Sequence, residues 1–353
     1  MAGTRSLGQS ELFPFHRGVL PVEGELLSSY LLRLANAHSA DHYRFYSTLL
    51  PGAQIWNRDI DRAINQRVTN LLVERCELSL DAANDLSLRA YEALISGGGA
   101  RQPSGHGMWI NSVGVYHRTR TLAGLQVCPI CISKERIYKR IWRLSFVTCC
   151  PEHLSTLCSV CPGCLAPIVP HRQLAGTSTC HSCHVDYFAN FRIAASPRQI
   201  PPGQQMLMNA LGGEEIPTLS DSIPLQDLAR GLALLRRWGM LRLPLGVQGP
   251  PVESQGPITR EIYFDLVHEL VSNWPDSMGL LMVRGRISRA SFENAQPPEW
   301  MSCIAGQLSA RVSSVAKVPY DRCLSSWLRE LRASKPEGWR ATRAAVLAKE
   351  AMK

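Results

Sequence analysis

The clustering of its cysteines is the feature that most constrains this chain. Nine of the 12 cysteines lie between Cys128 and Cys183. The opening segment Met1–His16 lacks the continuous apolar run of a secretory signal, so we expect the chain to stay in a reducing compartment. Because disulfides are rare in such compartments, clustered cysteines there are typical of metal ligation. The sequence therefore predicts a metal-binding module near its middle.

The clustered cysteines form two pairs of short knuckles. In each knuckle two ligands are separated by two residues, and the paired knuckles are separated by 18 residues in the first site and 15 in the second. Two such knuckles supply the four tetrahedral ligands of a structural zinc ion. The predicted ligands are Cys128, Cys131, Cys150 and His153 in the first site, and Cys161, Cys164, Cys180 and Cys183 in the second. Since protein fills every ligand position, we expect two structural zinc ions rather than a catalytic one.

Two other uses of these cysteines stay open, namely redox chemistry of a Cys-x-x-Cys motif and ligation of an iron–sulfur cluster. The register is open as well, because four further residues could replace neighbouring ligands: Cys149, Cys158, His181 and His184. Cys150 is preferred to Cys149, since it keeps a two-residue spacing from His153. The remaining, isolated cysteines are expected in hydrophobic cores: Cys76, Cys303 and Cys323.

The segments on either side of the cysteines carry helical patterns. Between residues 24 and 40, apolar residues recur along one face of a helix. Asp41 is predicted to cap a second helix that ends near Leu50, and Ser79 to cap a fourth. The apolar face of this fourth helix is expected at Leu86, Ala90 and Leu94.

These patterns predict a mainly α-helical fold with a small zinc-ribbon insert. We expect an N-terminal helical domain, similar to a helix-turn-helix, over residues 1–100. A tandem zinc-binding module is expected over 125–190, and a C-terminal helical domain with a basic tail over 205–353. Connectors rich in glycine and proline separate the three.

The chain carries a formal net charge of +9, with 38 Lys and Arg against 29 Asp and Glu. A basic excess favours nucleic acid as a partner. Five basic residues lie between the ligands of the first site, interleaved with Tyr138 and Trp142, and the second helix would offer His42 and an arginine to a groove. The predicted nucleic-acid-binding residues are Arg33, Arg44, Lys134, Arg136, Lys139, Arg140 and Arg143. The alternative for each of them is an ordinary solvated helix face.

Several classes of enzyme lack their signatures in this sequence. It contains no Gly-Lys dipeptide, hence no Walker A loop, and neither His-Glu-x-x-His nor Gly-x-Ser-x-Gly. The carboxylate pairs Asp59/Asp61 and Glu214/Glu215 are expected in solvated loops or helix starts, so we predict that the chain is not an enzyme. No run of about 18 to 20 apolar residues occurs. We therefore expect a soluble cytoplasmic protein, associated with the nucleoid and not with a membrane.

Several stretches of the sequence resemble the TniQ family. Leu20–Ala35, with its proline, acidic residue, paired serines and Arg-Leu-Ala ending, is similar to the opening motif of that family. The cysteine segment resembles the family in the order Val127–Cys131, Trp142–Leu144, Val147–His153, Cys161–Cys164 and Cys180–Cys183. Asn273–Asp276 resembles the Trp-Pro element found further along. The doubled Cys149-Cys150, the extra Cys158 and the tail 285–353 depart from the family pattern.

The resemblance implies a target-selection adaptor of a transposon, without catalytic activity of its own. Such proteins bind DNA, or dock on a Cascade complex with guide RNA in CRISPR-associated transposons. They recruit an AAA+ ATPase regulator of the TnsC or TniB type, which brings a DDE transposase. A homodimer, and zinc at the eight predicted ligands, are implied as well. The alternative is a zinc-dependent, sequence-specific DNA-binding transcriptional regulator, and the motifs do not decide between guide RNA and direct reading of DNA.

Overall fold

The computed structural model of the chain describes residues 15–97, 107–111, 113, 125–172, 179–186, 199–219, 222–237 and 252–274. The chain divides into two compact units. The first consists of Met1–Ala93, Gly98–Pro201 and Pro250–Glu261, and the second of Leu94–Gly97, Pro202–Gly249 and Ile262–Lys353. The N-terminal helices and the cysteine-rich segment thus belong to the same unit. The predicted boundaries of three domains stay a prediction.

Five helices form the N-terminal part of the chain. They are α1 (Leu27–Ala37), α2 (His42–Leu49), α3 (Gln66–Glu74), α4 (Leu80–Asp85) and α5 (Arg89–Ser96), with a 3₁₀ turn at Ile55–Asn57. Apolar side chains of α1 to α4 and of the loops between them make one core. Fully buried members of this core include Leu27, Tyr30, Leu31, Leu34, Val68 and Leu72. The helical fold predicted for this region is confirmed.

Side-chain caps determine where three of these helices begin. The Asp41 carboxylate accepts from the Arg44 N–H at 2.9 Å, and the Ser79 hydroxyl accepts from the Ala82 N–H at 3.1 Å. Both caps agree with the sequence prediction. Asn65 caps α3 in the same way through the Val68 N–H. Each cap satisfies one of the backbone donors that a helix start leaves without a partner.

The predicted fourth helix is wrong, because the chain turns in its middle. Two short helices, α4 and α5, stand in its place. Between them the Ser87 hydroxyl donates to the Asn84 carbonyl, and the Leu88 N–H donates to the Asp61 carbonyl of an earlier loop at 2.8 Å. Leu86 is buried, but Ala90 is exposed and Leu94 is 49% exposed. Apolar residues at intervals of four therefore do not lie on one continuous helical face here.

Over residues 125–172 and 179–186, the described part of the cysteine-rich segment contains little regular structure. One short helix, α6 (Pro129–Glu135), is followed by 3₁₀ turns at Arg140–Arg143 and Pro170–Arg172. Isolated antiparallel bridges close its hairpins: Val127 with Cys158, Cys149 with Thr156, Val160 with Pro167, and Thr179 with Asp186. Short hairpins joined in this way are the ribbons predicted from the cysteine spacing.

In the part of the second unit that the structure describes, regular structure is also mainly helical. The unit holds α7 (Pro202–Leu211), α8 (Leu225–Arg237) and most of α9 (Pro257–Ser272), with a two-stranded antiparallel sheet of β1 (Ile216–Pro217) and β2 (Ser222–Ile223). A side chain at Gly203 would overlap the carbonyl of Phe264. The Gly203 N–H also donates to the Asp265 carboxylate at 2.9 Å. A glycine is therefore needed where α7 meets α9.

Parts of the sequence prediction lie outside the described residues. These include Cys303, Cys323 and the basic tail over 285–353. Among the helices that the structure describes, none is both long enough and apolar enough to cross a membrane.

Candidate metal centres

The first pair of ligands lies at the start of α6. Cys128 is the N-cap residue of this helix, and its Sγ accepts a hydrogen bond from the Cys131 N–H at 3.4 Å. Pro129 occupies the first turn, where a missing N–H removes no helical hydrogen bond. Residues three apart lie on the same face of a helix. The helix start therefore points both sulfurs to one side.

Cys150 and His153 complete the first site. The Nδ1 atom of His153 lies 3.2 Å from the sulfur of Cys131, 3.6 Å from that of Cys150 and 3.8 Å from that of Cys128. The sulfurs of Cys131 and Cys150 are 3.7 Å apart. All four ligand atoms lie within 4.8 Å of one another, and the three cysteines are buried.

Four cysteines form the second site, which is more open to solvent. The sulfurs of Cys161 and Cys183 are 3.6 Å apart, as are those of Cys164 and Cys180. All four sulfurs lie within 4.8 Å of one another. Cys161 and Cys180 are buried, whereas Cys164 is exposed. The structure thus brings together all eight residues predicted as ligands.

Three of the four knuckles share one backbone conformation. The residue after the second ligand has a positive φ in each, of 49° at Leu154, 60° at Leu165 and 60° at His184. Its N–H donates to the carbonyl of the first ligand, at 2.9, 3.0 and 3.0 Å respectively. Non-glycine residues adopt this left-handed region at a cost. Because this conformation recurs in three knuckles, we infer that it is needed to bring the two ligands of a knuckle together.

Gly163 lies where the two knuckles of the second site approach each other. Its N–H donates to the sulfur of Cys161 at 3.3 Å. A Cβ at this position would lie 2.9 Å from Val185 Cγ2 and 3.3 Å from the sulfur of Cys183. The two knuckles of the site can therefore approach each other because residue 163 has no side chain.

The spacing of the ligand atoms fits a single zinc ion in each site. With Zn–S bonds of about 2.3 Å, two sulfurs of a tetrahedral site lie about 3.8 Å apart, and a sulfur and an imidazole nitrogen about 3.6 Å. The sulfur separations of 3.6 and 3.7 Å agree with these values. None of the described cysteines forms a disulfide bond, in which the two sulfurs would lie roughly 2 Å apart. The two clusters could hold metal ions, and their donor sets are those of structural zinc.

The alternative ligands lie outside the two clusters. Cys149 is buried, and its thiol contacts the Cys150 carbonyl at 3.6 Å. Burial raises the pKa of the Cys149 thiol to about 11. Burial likewise raises the pKa of the Cys158 thiol. Neither cysteine joins a cluster, and neither His181 nor His184 does so.

The Cys128 thiol differs from the other two thiols of the first site, Cys131 and Cys150, whose pKa values are raised by their hydrogen bonds to it. Hydrogen bonds from the thiols of Cys131 and Cys150 lower the pKa of the Cys128 thiol well below its usual value, although burial opposes them. The Ser155 hydroxyl, 3.1 Å from the same sulfur, acts in the same direction. Donors around a sulfur stabilise its negative charge, as a ligand of a cation requires.

The prediction that Arg143 contacts nucleic acid is wrong. Its side chain is fully buried, and its guanidinium forms ion pairs with Asp59 and with Asp61, the latter at 2.8 Å. It also donates to the Asn111 carbonyl at 3.0 and 3.2 Å. Burial opposes the charge of Arg143, but the two aspartates raise the pKa of the guanidinium. Trp142 beside it is buried as well, in the core and away from solvent.

The expectation of a solvated Asp59/Asp61 pair is wrong for the same reason. Asp61 is 4% exposed and accepts from both the N–H and the hydroxyl of Ser28, at 2.7 and 3.1 Å. Burial raises its pKa to about 6, against the lowering effect of Arg143. No local pattern in the sequence signals this burial, because the partners of Asp61 are Ser28 and Arg143, which are distant in sequence.

The other predicted basic residues differ in exposure. Lys134 and Arg136 are exposed, whereas the Lys139 ammonium pairs with Glu135 at 3.0 Å and Glu152 at 2.7 Å. Arg140 lies over the Tyr91 ring. These ion pairs reduce the basic character that the sequence predicts between the ligands of the first site.

The two basic residues of the N-terminal helices also differ. Arg33 pairs with the buried carboxylate of Glu25 at 2.6 Å, while Arg44 is exposed on α2. His42 does not face a groove as predicted, because it is 4% exposed and its Nε2 lies 2.8 Å from the His171 carbonyl. Burial lowers the pKa of the His42 imidazole.

The described residues define a mainly helical protein that carries tandem ribbons whose cysteine clusters could hold metal ions. The TniQ family model matches residues 17–157, which include α1 to α6 and all four ligands of the first site. The match supports a TniQ-family protein, associated with transposition in general, and the family is one of non-catalytic accessory proteins. No curated protein matches the chain.

Proposed function

We propose that this chain is a target-site selection adaptor for transposition whose two clusters each hold a structural zinc ion. The observation that carries the proposal is the TniQ match over residues 17–157, because it includes both the N-terminal helices and the first cluster. The adaptor recruits an AAA+ ATPase regulator, which brings a DDE transposase. It binds DNA, a Cascade complex with guide RNA, or both.

The charge of the helical region supports protein docking there. Between residues 15 and 97 the chain has ten acidic residues against eight arginines and no lysine. A surface with balanced charge offers little of the phosphate attraction that dominates nucleic-acid binding. We therefore assign these helices to contacts with the ATPase or the Cascade proteins, and nucleic-acid contact to basic residues elsewhere, including Lys134 and Arg136.

Affinity purification of the tagged full chain from its native host tests the proposal. The copurified proteins are identified by mass spectrometry, and the nuclease-protected nucleic acid is sequenced. The adaptor proposal expects an AAA+ ATPase or a guide-RNA complex at roughly physiological salt. Recovery of one recurrent duplex sequence with neither of these partners contradicts it. The zinc assignment is tested separately by elemental analysis of the purified protein, which should find two zinc ions per chain.

A sequence-specific DNA-binding regulator is the second candidate, and the outer face of α2 favours it. Four side chains able to form hydrogen bonds are exposed on this helix: Tyr43, Arg44, Ser47 and Thr48. Such a face is suited to reading base edges in a major groove. A regulator should bind a defined duplex without partner proteins. Arg44→Ala should then weaken that binding, whereas Arg58→Ala, at another exposed arginine, should have little effect.

A further inference from the structure

Each cluster closes a loop of the chain, and each loop reaches the N-terminal helices. We name residues 132–149, between Cys131 and Cys150, the first loop, and residues 165–172, the part after Cys164 that the structure describes, the second loop. Both loops and the helices they contact belong to the same compact unit. The polar contacts of the two loops go to different helices, although the 3₁₀ turn Pro170–Arg172 of the second loop also packs against α1.

The first loop binds the amino end of α1 through its backbone. The Leu26 N–H donates to the Tyr138 carbonyl at 2.8 Å, and the Arg140 N–H donates to the Gly24 carbonyl at 2.8 Å. The Tyr138 N–H in turn donates to the Ser29 hydroxyl at 3.0 Å. These bonds form a short antiparallel bridge around Glu25 and satisfy backbone donors that would otherwise be buried without partners.

Arg143 extends the same contact into the body of the helices. Its two ion pairs hold Asp59 and Asp61, and Asp61 accepts the Ser28 N–H at the first turn of α1. A carboxylate at a helix start stabilises the helix through the exposed N–H groups and the helix dipole. Arg143 in the first loop therefore holds the carboxylate that stabilises the start of α1.

The second loop also packs against α1, but His171 makes its hydrogen bond and ring contact with α2 and with the 3₁₀ turn before α3. The His171 carbonyl lies 2.8 Å from His42 Nε2 on α2. The His171 ring stacks on Trp56, with centroids 6.1 Å apart and planes 21° apart. Trp56 in turn makes edge contacts with His42 and Tyr46 of α2. The turn that carries His171 is thus packed under α2.

The path from the second cluster to His171 is short, and it becomes buried from Ile168 onward. The Cys161 N–H donates to the Ala166 carbonyl at 2.7 Å, and the Ile168 N–H donates to the Ser159 carbonyl at 3.1 Å. Ile168 and Val169 are buried. Only six residues separate Cys164 from His171. A change in the knuckle at Cys161 and Cys164 therefore reaches His171 through a tightly hydrogen-bonded segment.

We propose that the two metal sites hold different helices in place, the first site holding the start of α1 and the second holding α2 through His171. The inference rests on the proposed zinc occupancy. A metal that joins knuckles distant in sequence supplies the free energy that keeps the loop between them closed. The outer face of α2, with Arg44, then depends on the second site. Because Cys164 is exposed there, the site that controls α2 is also the one open to chelators and oxidants.

Hydrogen exchange of the full chain tests this division. Cys131→Ser and Cys164→Ser form a matched pair, because each removes one sulfur from one site. Zinc content is measured for each variant, and amide exchange is followed by mass spectrometry in peptides covering residues 24–31 and 42–57. Cys131→Ser should accelerate exchange in the first peptide about tenfold or more and leave the second within about twofold. Cys164→Ser should do the reverse.

Two variants outside the ligand sets keep the test decisive if a ligand variant fails to fold. His171→Ala should accelerate exchange in 42–57 while both zinc ions stay bound, and Arg143→Lys should do so in 24–31. His184→Asn, at an exposed histidine of the second site, is the matched control and should alter neither peptide.

The possible failures are distinguishable. A wild-type chain without zinc, or ligand variants that keep two ions, would overturn the zinc assignment itself. Loss of one zinc ion with unchanged exchange in the corresponding peptide would overturn the division of roles and leave the zinc assignment standing. Equal acceleration of both peptides in both ligand variants would also overturn the division.

Discussion

Replacing Arg143 by methionine should destabilise the first unit strongly, because it leaves buried carboxylate charge without its partner. Methionine keeps most of the volume, so the lost charge dominates the effect. Removing one partner of a buried ion pair costs about 3–5 kcal/mol. Asp61, with 4% exposure, would bear most of this cost. The free energy of unfolding should therefore fall by about this amount at pH 8.

The loss should depend on pH in a definite direction. Burial already raises the pKa of Asp61 to about 6, while Arg143 lowers it and Asp59 raises it. Without Arg143 the pKa should rise further. A carboxyl whose folded pKa is raised contributes stability below its unfolded pKa and loses it as pH rises through the folded pKa. The deficit of the variant should thus be smaller at pH 6 than at pH 8, by up to about 1.4 kcal/mol per pH unit.

Urea unfolding of the zinc-loaded protein, followed by fluorescence of the buried tryptophans, measures the effect at both pH values. Adding Asp61→Asn to Arg143→Met removes the uncompensated charge and should recover part of the lost free energy. Arg58→Met, at an exposed arginine, should change stability by less than about 0.5 kcal/mol. The reasoning is refuted if Arg143→Met behaves like Arg58→Met, if its deficit is the same at pH 6 and pH 8, or if the second substitution makes it worse.

Three further predictions concern the metal sites. Cys150→Ser should lower the zinc content from two ions to one, whereas Cys149→Ser should leave two; the opposite result in elemental analysis would reverse the register. Leu165→Gly should strengthen zinc binding at the second site by up to about 1 kcal/mol in competition with a chelator, since glycine adopts the positive φ without cost, and weaker binding would contradict this. Gly163→Ala should weaken the second site only, because its Cβ would crowd Val185, and equal loss at both sites would refute that explanation.

The ligand clusters could be predicted from the sequence because zinc chemistry fixes a local spacing. Two ligands separated by two residues lie close together whatever surrounds them, so pairs of knuckles indicated the two sites directly. The preference for Cys150 over Cys149 followed from the same spacing, and the structure places only Cys150 in the cluster. The helix caps at Asp41 and Ser79 were equally local, since each uses a bond over three residues.

The contacts between the loops and the helices could not be predicted, because they join residues far apart in sequence. Asp59 and Arg143 are separated by 84 positions, and His42 and His171 by 129. Periodicity within a window of a dozen residues contains no information on such pairs. The prediction of the fourth helix was wrong for a similar reason, because the Leu88 N–H donates to the Asp61 carbonyl, which belongs to a different loop.

Basic residues that lie between the knuckles of a metal site need not be exposed to solvent. Arginine and lysine between distant knuckles looked like a solvent-facing patch, since charged side chains are seldom buried without partners. A loop between two knuckles of one metal site can instead pack against neighbouring helices. In the first loop Arg143 is buried in this way, with Asp59 and Asp61 as its partners. Lys139, at the edge of the same loop, pairs with acidic neighbours, and Arg136 stays exposed. The number of basic residues in such a loop therefore overstates its attraction for phosphate.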